Sequence, residues 1–249
     1  MARPRKRPEY DPEKIMKELM TAVAESYEET GELKITAEEF CMSALKVRKL
    51  LITAGAYSND ISDEVNELYE QGKSPEEIEK ITGLKKSSVN GYLPYSKVVY
   101  KPQELSLNAE RIKQYRLRRE VLKRLYEQIT DKAFREAVMA FQNYPFSTVW
   151  GQRFVYELKT DPDKGTFKEL IIRSHRQIIS LSWRAVMKLY RNALSLQGDV
   201  VRMADLGDTE GVQYLYSIFY KFGMISVPRN MERKLKNNLN AELNSAFKS

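Results

Sequence analysis

The run Leu84-Lys85-Lys86-Ser87-Ser88-Val89-Asn90-Gly91-Tyr92 sets cationic and hydrogen-bonding side chains between aliphatic ones at helical spacing. With Leu84, Val89 and Leu93 turned inward, Lys86, Ser87, Ser88, Asn90 and Tyr92 face outward, and Lys85 precedes them. Lysine and serine bind phosphates or base edges, and asparagine pairs in bidentate fashion with adenine in a major groove. The N-terminal end of such a helix normally points at the bases. A small helical module that binds protein, or nothing, would use the same residue types.

Three further groups carry related chemistry. Ser43, Lys46, Arg48 and Lys49 are the outward residues of an earlier helix, which reads either as a second DNA contact or as a packing or dimerisation module. In the N-terminal run, Arg3, Arg5 and Arg7 alternate with Pro4 and Pro8, which hold the backbone extended. That pattern fits a narrow minor groove, and equally a solubilising terminus. Arg111 to Arg119 puts several cations on one helix, with Arg111 and Arg118 as candidate phosphate contacts beside a solvated-face alternative. Further on, Arg173, Arg176, Arg184, Lys188 and Arg191 would form another basic face.

A catalytic constellation is hard to assemble. Glu157-Leu158-Lys159 and Pro162-Asp163-Lys164 hold the letters of a PD-(D/E)xK nuclease, but in the wrong order, with the aspartate in a turn. His175 is the one histidine and Cys41 the one cysteine, so two-histidine zinc sites, cysteine clusters and internal disulfides are excluded. There is no phosphate-binding glycine loop, G-x-S-x-G or H-E-x-x-H. The expectation is no catalytic residue, no metal and no cofactor.

The elements that must position these residues are mostly helical. A helix is expected from Pro12 to about Thr30, stopped by Gly31. Thr36 and Glu39 read as a capping box that opens a short second helix, and Ser43 caps a third through about Thr53. The plan then repeats. Ile61 to Glu70 is a helix with Ile61, Val65, Leu68 and Tyr69 inward. Ser74, Pro75 and Glu77 supply cap, first-turn proline and capping-box glutamate, and Ile78 and Ile81 face the core. Gly83 takes the turn's positive φ, Ser87 caps the next helix, and Pro94 stops it. Three helices with the last two joined tightly make the helix-turn-helix plan, here twice.

The expected organisation is a basic tail over 1–10, helix-turn-helix units over 11–56 and 57–95, and a basic linker and helix over 96–142. A C-terminal domain with one β-hairpin follows over 143–228, and a polar tail over 229–249. Within 96–142, residues 96–109 read as a linker and 108–142 as one or two helices. The hairpin pairs Arg153–Lys159 with Phe167–Arg173 across Asp161-Pro162-Asp163-Lys164-Gly165. Ser180 or Ser182 then caps a helix to about Leu196, and another runs from about Asp208 to Phe222 with its aromatic residues in the core. The fold class is therefore mainly α: two consecutive three-helix units, a long linker helix, and an α+β C-terminal domain.

Composition sets the class of partner. The 249 residues carry 41 Lys+Arg against 34 Asp+Glu, a net charge of +7. Residues 1–100 hold 15 basic and 18 acidic side chains, and residues 101–249 hold 26 and 16. Between Lys85 and Arg124 stand 11 basic residues and three acidic ones, a local surplus that suits a polyanion. No apolar run reaches the roughly 18 residues of a membrane span, and the N-terminus lacks the apolar stretch of a secretory signal. A reducing cytoplasm is the expected location.

The strings ITAEEFCMSALKVRKLLITAG and SPEEIEKITGLKKSSVNGYLPY resemble tandem helix-turn-helix bacterial DNA-binding proteins of the regulator type, often linked to mobile elements. The second string is also similar to the helix-turn-helix of sigma-factor region 4 and of resolvases. The resemblance covers under a quarter of the chain and implies DNA binding through Lys85 to Tyr92. The resulting expectation is a sequence-specific double-stranded-DNA-binding protein, a transcription regulator acting as a homodimer. Two alternatives stand beside it: a DNA-processing enzyme, nuclease or recombinase-like, addressed by its helical units, and a protein-binding adaptor.

Overall fold

The computed structural model describes residues 11–96, 102–161 and 165–241. The chain divides into two compact units, Met1–Arg116 and Leu117–Ser249. The described residues are mainly helical, with one small antiparallel sheet.

The first unit opens with α1 (Pro12–Thr30), where the Asp11 carboxylate accepts the free amides of Glu13 and Lys14. Gly31 ends it at φ 66°, a left-handed conformation that costs glycine little. The chain reverses so tightly that α2 (Leu33–Glu39) begins two residues later. Thr36 therefore lies inside α2 and not at its start, which corrects the expected Thr36–Glu39 capping box. Its buried hydroxyl donates to the carbonyl of Glu32 at 3.2 Å. Ser43 does cap α3 (Ala44–Thr53), accepting from the Lys46 amide. Leu19, Val23, Phe40, Val47, Leu50 and Leu51 form the core of these three helices.

A second, smaller core lies under α4 (Asp60–Glu70), α5 (Pro75–Thr82) and α6 (Lys86–Tyr92). It is built from Val65, Ile78, Val89 and Leu93. The Ser74–Glu77 capping box is present, and Gly83 ends α5 at φ 69°. Ser87 does not cap α6; Lys85 occupies the cap position in extended backbone, and Ser87 falls in the first turn. Three short helices enclose too little volume for every apolar position. Ile61, Tyr69 and Ile81, expected inward, are exposed, as is Leu45 of α3.

The segment expected as a linker over 96–109 is helical from Pro102 onward, in α7 (Pro102–Glu127). Leu105, Ile112 and Tyr115 of α7 join the first unit's core, whereas Val121 and Leu125 belong to the second unit's. Thr130 then caps α8 (Asp131–Ala140).

The expected hairpin is present as β2 (Arg153–Thr160) and β3 (Phe167–Ser174), and it is part of a larger sheet. Strands β1 (Phe146–Ser147) and β4 (Ile178–Ser182) flank it in the order β1-β2-β3-β4, every pair antiparallel. Phe154, Tyr156, Leu170, Ile172, Ile179 and Leu181 alternate onto the buried face. Asp161 and Gly165 close the β2–β3 turn through backbone bonds; residues 162–164 lie outside the described residues.

Ser182 caps α9 (Trp183–Ser195), whose amide at Ala185 it accepts. Next come α10 (Met203–Leu206), α11 (Val212–Lys221) and α12 (Arg229–Ala241). Helix α11 buries Tyr214 to Phe219, as its aromatic run suggests. Phe134 of α8 stacks on Tyr190 of α9 at 4.2 Å between ring centroids. Of the tail expected to be polar and weakly helical, Arg229–Ala241 forms α12, and Leu235 is buried in this core. No helix among the described residues is long and apolar enough to cross a membrane.

Candidate nucleic-acid interface

Helix α6 is held from its C-terminal end. Its last carbonyls have no partner inside the helix and must find one elsewhere. Lys49 Nζ donates to the Asn90 carbonyl at 2.9 Å, Arg48 Nε to the Gly91 carbonyl at 3.0 Å, and Asn66 Nδ2 to the Tyr92 carbonyl at 3.1 Å. Two of these donors are cations, which the negative end of a helix dipole favours. The Arg48 guanidinium also lies 4.1 Å from the Tyr92 ring centroid. Gly91 makes this closeness feasible: a Cβ there would stand 2.6 Å from the Arg48 Nη2 atom.

The candidate contacts are side chains that α6 leaves on its surface. Lys85, Ser87 and Asn90 are exposed, Ser88 is half-buried, and none of these four side chains hydrogen-bonds within the described residues. Lys86 is exposed but engaged. Its ammonium lies 2.6 Å from Glu76 Oε1, and its amide donates to Glu79 Oε1 at 3.3 Å, supplying the cap that the Lys85 side chain cannot give. The hydrogen bond from Lys86 holds the Glu76 carboxyl below its ordinary range, and the same bond raises the lysine.

The remaining candidates divide by position. Tyr92 turns toward α3 and the second core, not outward as expected, because Arg48 covers its ring. Ser43 is exposed at the start of α3 with its hydroxyl committed to the Lys46 amide. The Lys46 ammonium sits 5.6 Å from the Tyr95 ring centroid. Arg48 and Lys49 face α6, as described. Arg111 donates to Asn108 Oδ1 at 3.0 Å and to the Cys41 carbonyl at 3.2 Å, tying α7 to the α2–α3 turn. Arg118 is buried, with its guanidinium 5.3 Å from the Tyr144 ring centroid and 5.8 Å from that of Phe141. That burial corrects its expected role as a phosphate contact. Arg3, Arg5 and Arg7 lie outside the described residues.

Sequence reasoning missed the clamp formed by Arg48, Lys49 and Asn66. The available signal was Gly91, a helix-interior glycine that costs roughly 1 kcal/mol against alanine and so marks a close approach.

The nuclease letters do not converge. Glu157 pairs with Arg173 at 3.0 Å and Lys159 with Glu169 at 3.6 Å, both as ties between β2 and β3. Asp163 and Lys164 lie outside the described residues. Among the described residues no three His, Cys, Asp or Glu side chains are grouped to hold a metal ion. A groove of about 520 Å³ beside α8 is lined by Arg124, Glu127, Gln128, Thr130, Lys132, Ala133 and Glu136, with both signs of charge and the Thr130 hydroxyl accepting from the Ala133 amide.

Comparison with protein-family models, curated proteins and solved structures finds no match for this chain.

Proposed function

We propose that this chain is a sequence-specific double-stranded-DNA-binding protein, a cytoplasmic transcription regulator. Helices α5 and α6 act as a helix-turn-helix with α6 in the major groove. The observation that carries the reading is the division of labour between the backbone and the side chains of α6. Its C-terminal carbonyls are tied to α3 and α4, while Lys85, Ser87, Ser88 and Asn90 stand uncommitted on the surface. A helix anchored through its backbone carbonyls can bring base-reading side chains to a groove without reordering itself.

Asn90 is the residue assigned to base recognition, through its amide and an adenine edge. The Asn90→Ala variant should fold normally, because the side chain is exposed and bonds to nothing among the described residues. It should lose about 1–3 kcal/mol of discrimination at one base pair of the preferred site. Selection of binding sites from a random duplex pool, run with both proteins, reads this directly. If two copies bind together, the selected motif should carry half-sites about 34–36 Å apart. Identical motifs from the two proteins, with equal information at every position, would count against α6 as the reading element.

A further inference from the structure

The first unit is a poor phosphate binder by charge. Met1–Arg116 carries 19 Lys+Arg and 20 Asp+Glu, and Leu117–Ser249 carries 22 and 14. The protein's surplus of positive charge therefore lies in the unit that does not contain α6. Near α6, moreover, Glu76 and Glu79 of α5 take up the Lys86 ammonium and amide. A protein whose groove-reading helix sits in a balanced unit needs another source of backbone attraction.

Helix α9 supplies one. From Ile171 to Gly198 the chain holds five cations and no aspartate or glutamate. Arg184, Lys188 and Arg191 fall at i, i+4 and i+7 on α9, and all three are exposed. The opposite face of α9 is buried through Trp183, Val186, Leu189, Tyr190 and Ala193. Helix α8 touches α9 at two points: Asp131 at the start of α8 lies 4.0 Å from Arg191, and Arg135 lies 5.9 Å from the ring centroid of Trp183 at the start of α9. Lys132 and Arg135 of α8 are exposed as well. Among the described residues, Arg184, Lys188, Lys132 and Arg135 have no ion-pair partner. Asp131 touches the ridge only at 4.0 Å, and Glu136 is drawn off by Arg124 at 3.2 Å.

We infer that this α8–α9 ridge is a second DNA-contacting surface, one that grips the phosphodiester backbone of the duplex without reading sequence. The inference rests on the proposed duplex-DNA ligand and adds a surface that contributes sequence-independent affinity. The 1.5 Å rise per residue puts the three α9 cations about 6 and 4.5 Å apart along the helix axis, a rigid row suited to neighbouring phosphates. A lipid surface fits less well. An interfacial helix lays its apolar face into the lipid, and the apolar face of α9 is already in the core.

The test uses the full chain with Arg184→Gln, Lys188→Gln and Arg191→Gln combined, titrated against a labelled random-sequence duplex over a range of salt. Losing three phosphate contacts should lower the slope of log K against log salt by about 2.7, and affinity near 0.1 M salt by on the order of 100-fold. A control with Lys14→Gln and Lys17→Gln, both on α1, should move the slope by less than about one. Unchanged slope and affinity in the α9 triple variant, with unaltered circular dichroism, would overturn the ridge. Equal losses in triple variant and control would overturn it too, since only net charge would then matter. So would binding of the wild-type chain to anionic lipid vesicles but not to duplex. Asn90→Ala separates the two proposals. If it relaxes specificity while the triple variant binds normally, the ridge fails and the α6 reading stands. If the triple variant loses affinity and Asn90→Ala changes nothing, the ridge stands and α6 loses its role.

Discussion

Replacing Gly91 with alanine sets two effects of similar size against each other. In a free helix the change should stabilise by about 1 kcal/mol. Here the new Cβ would meet Arg48 Nη2 at 2.6 Å and Leu45 Cδ1 at 3.3 Å. Both atoms end flexible side chains, so the clash is relieved by swinging Arg48 away. That movement forfeits the 3.0 Å bond to the Gly91 carbonyl and the 4.1 Å stacking on Tyr92. A hydrogen bond from a charged donor contributes about 1.5–3 kcal/mol, and a cation–π contact at an exposed site about 0.5–1 kcal/mol. Arg48 is half-buried, so the lower ends apply, and the net should be a destabilisation of about 1 kcal/mol. In an Arg48→Ala background the forfeit has already been made. There Gly91→Ala should stabilise, by up to about 1 kcal/mol. The assay is urea unfolding followed in parallel by circular dichroism and tryptophan fluorescence. Both tryptophans, Trp150 and Trp183, lie in the second unit, so fluorescence should not respond while the dichroism transition shifts. The same sign of effect in both backgrounds would refute the clamp as the reason for a glycine in α6.

Two other expectations follow from the same geometry. Arg118→Ala should destabilise the second unit by about 2 kcal/mol, seen in the fluorescence transition, since it strips a buried guanidinium from the rings of Tyr144 and Phe141. The Glu76–Lys86 pair should stabilise α5 against α6 across a broad pH window. The depressed Glu76 contributes above its unfolded pKa and loses its effect as pH falls through the folded value. The raised Lys86 contributes fully below the unfolded lysine value and loses its effect as pH rises through the folded one. Lys86→Gln should therefore flatten both limbs of a stability–pH profile, and a profile unchanged at either end would contradict the pairing.

Much of the fold was legible because its signals are local. Ser43 and Ser74 each satisfy an amide three residues away, and Gly31 and Gly83 take left-handed turns. Misreadings arose where packing decides. Ile61, Tyr69 and Ile81 have core-forming side chains, but the three-helix group has no room for them. Thr36 carries a capping side chain, yet the tight reversal at Gly31 moves the helix start upstream of it. Strand β1 is two residues long and β4 runs straight into α9, so neither shows a period of its own. In the candidate site, the outward serines and asparagine of α6 were readable from spacing. The fate of Arg48, Lys49 and Tyr92 was not, because it depends on contacts some 40 residues apart in sequence, such as Arg48 to Gly91. Arg118 looked like one of many cations on a charged helix. Burial singles it out, and nothing in the charge pattern of α7 marks that position.

Whether α6 reads a duplex is decided by the ratio of affinities for the best selected site and for random duplex, measured at one physiological salt concentration. A single enriched motif should be bound at least about 10³-fold more tightly than random sequence. A pool that yields no motif, with every duplex bound alike, would contradict it.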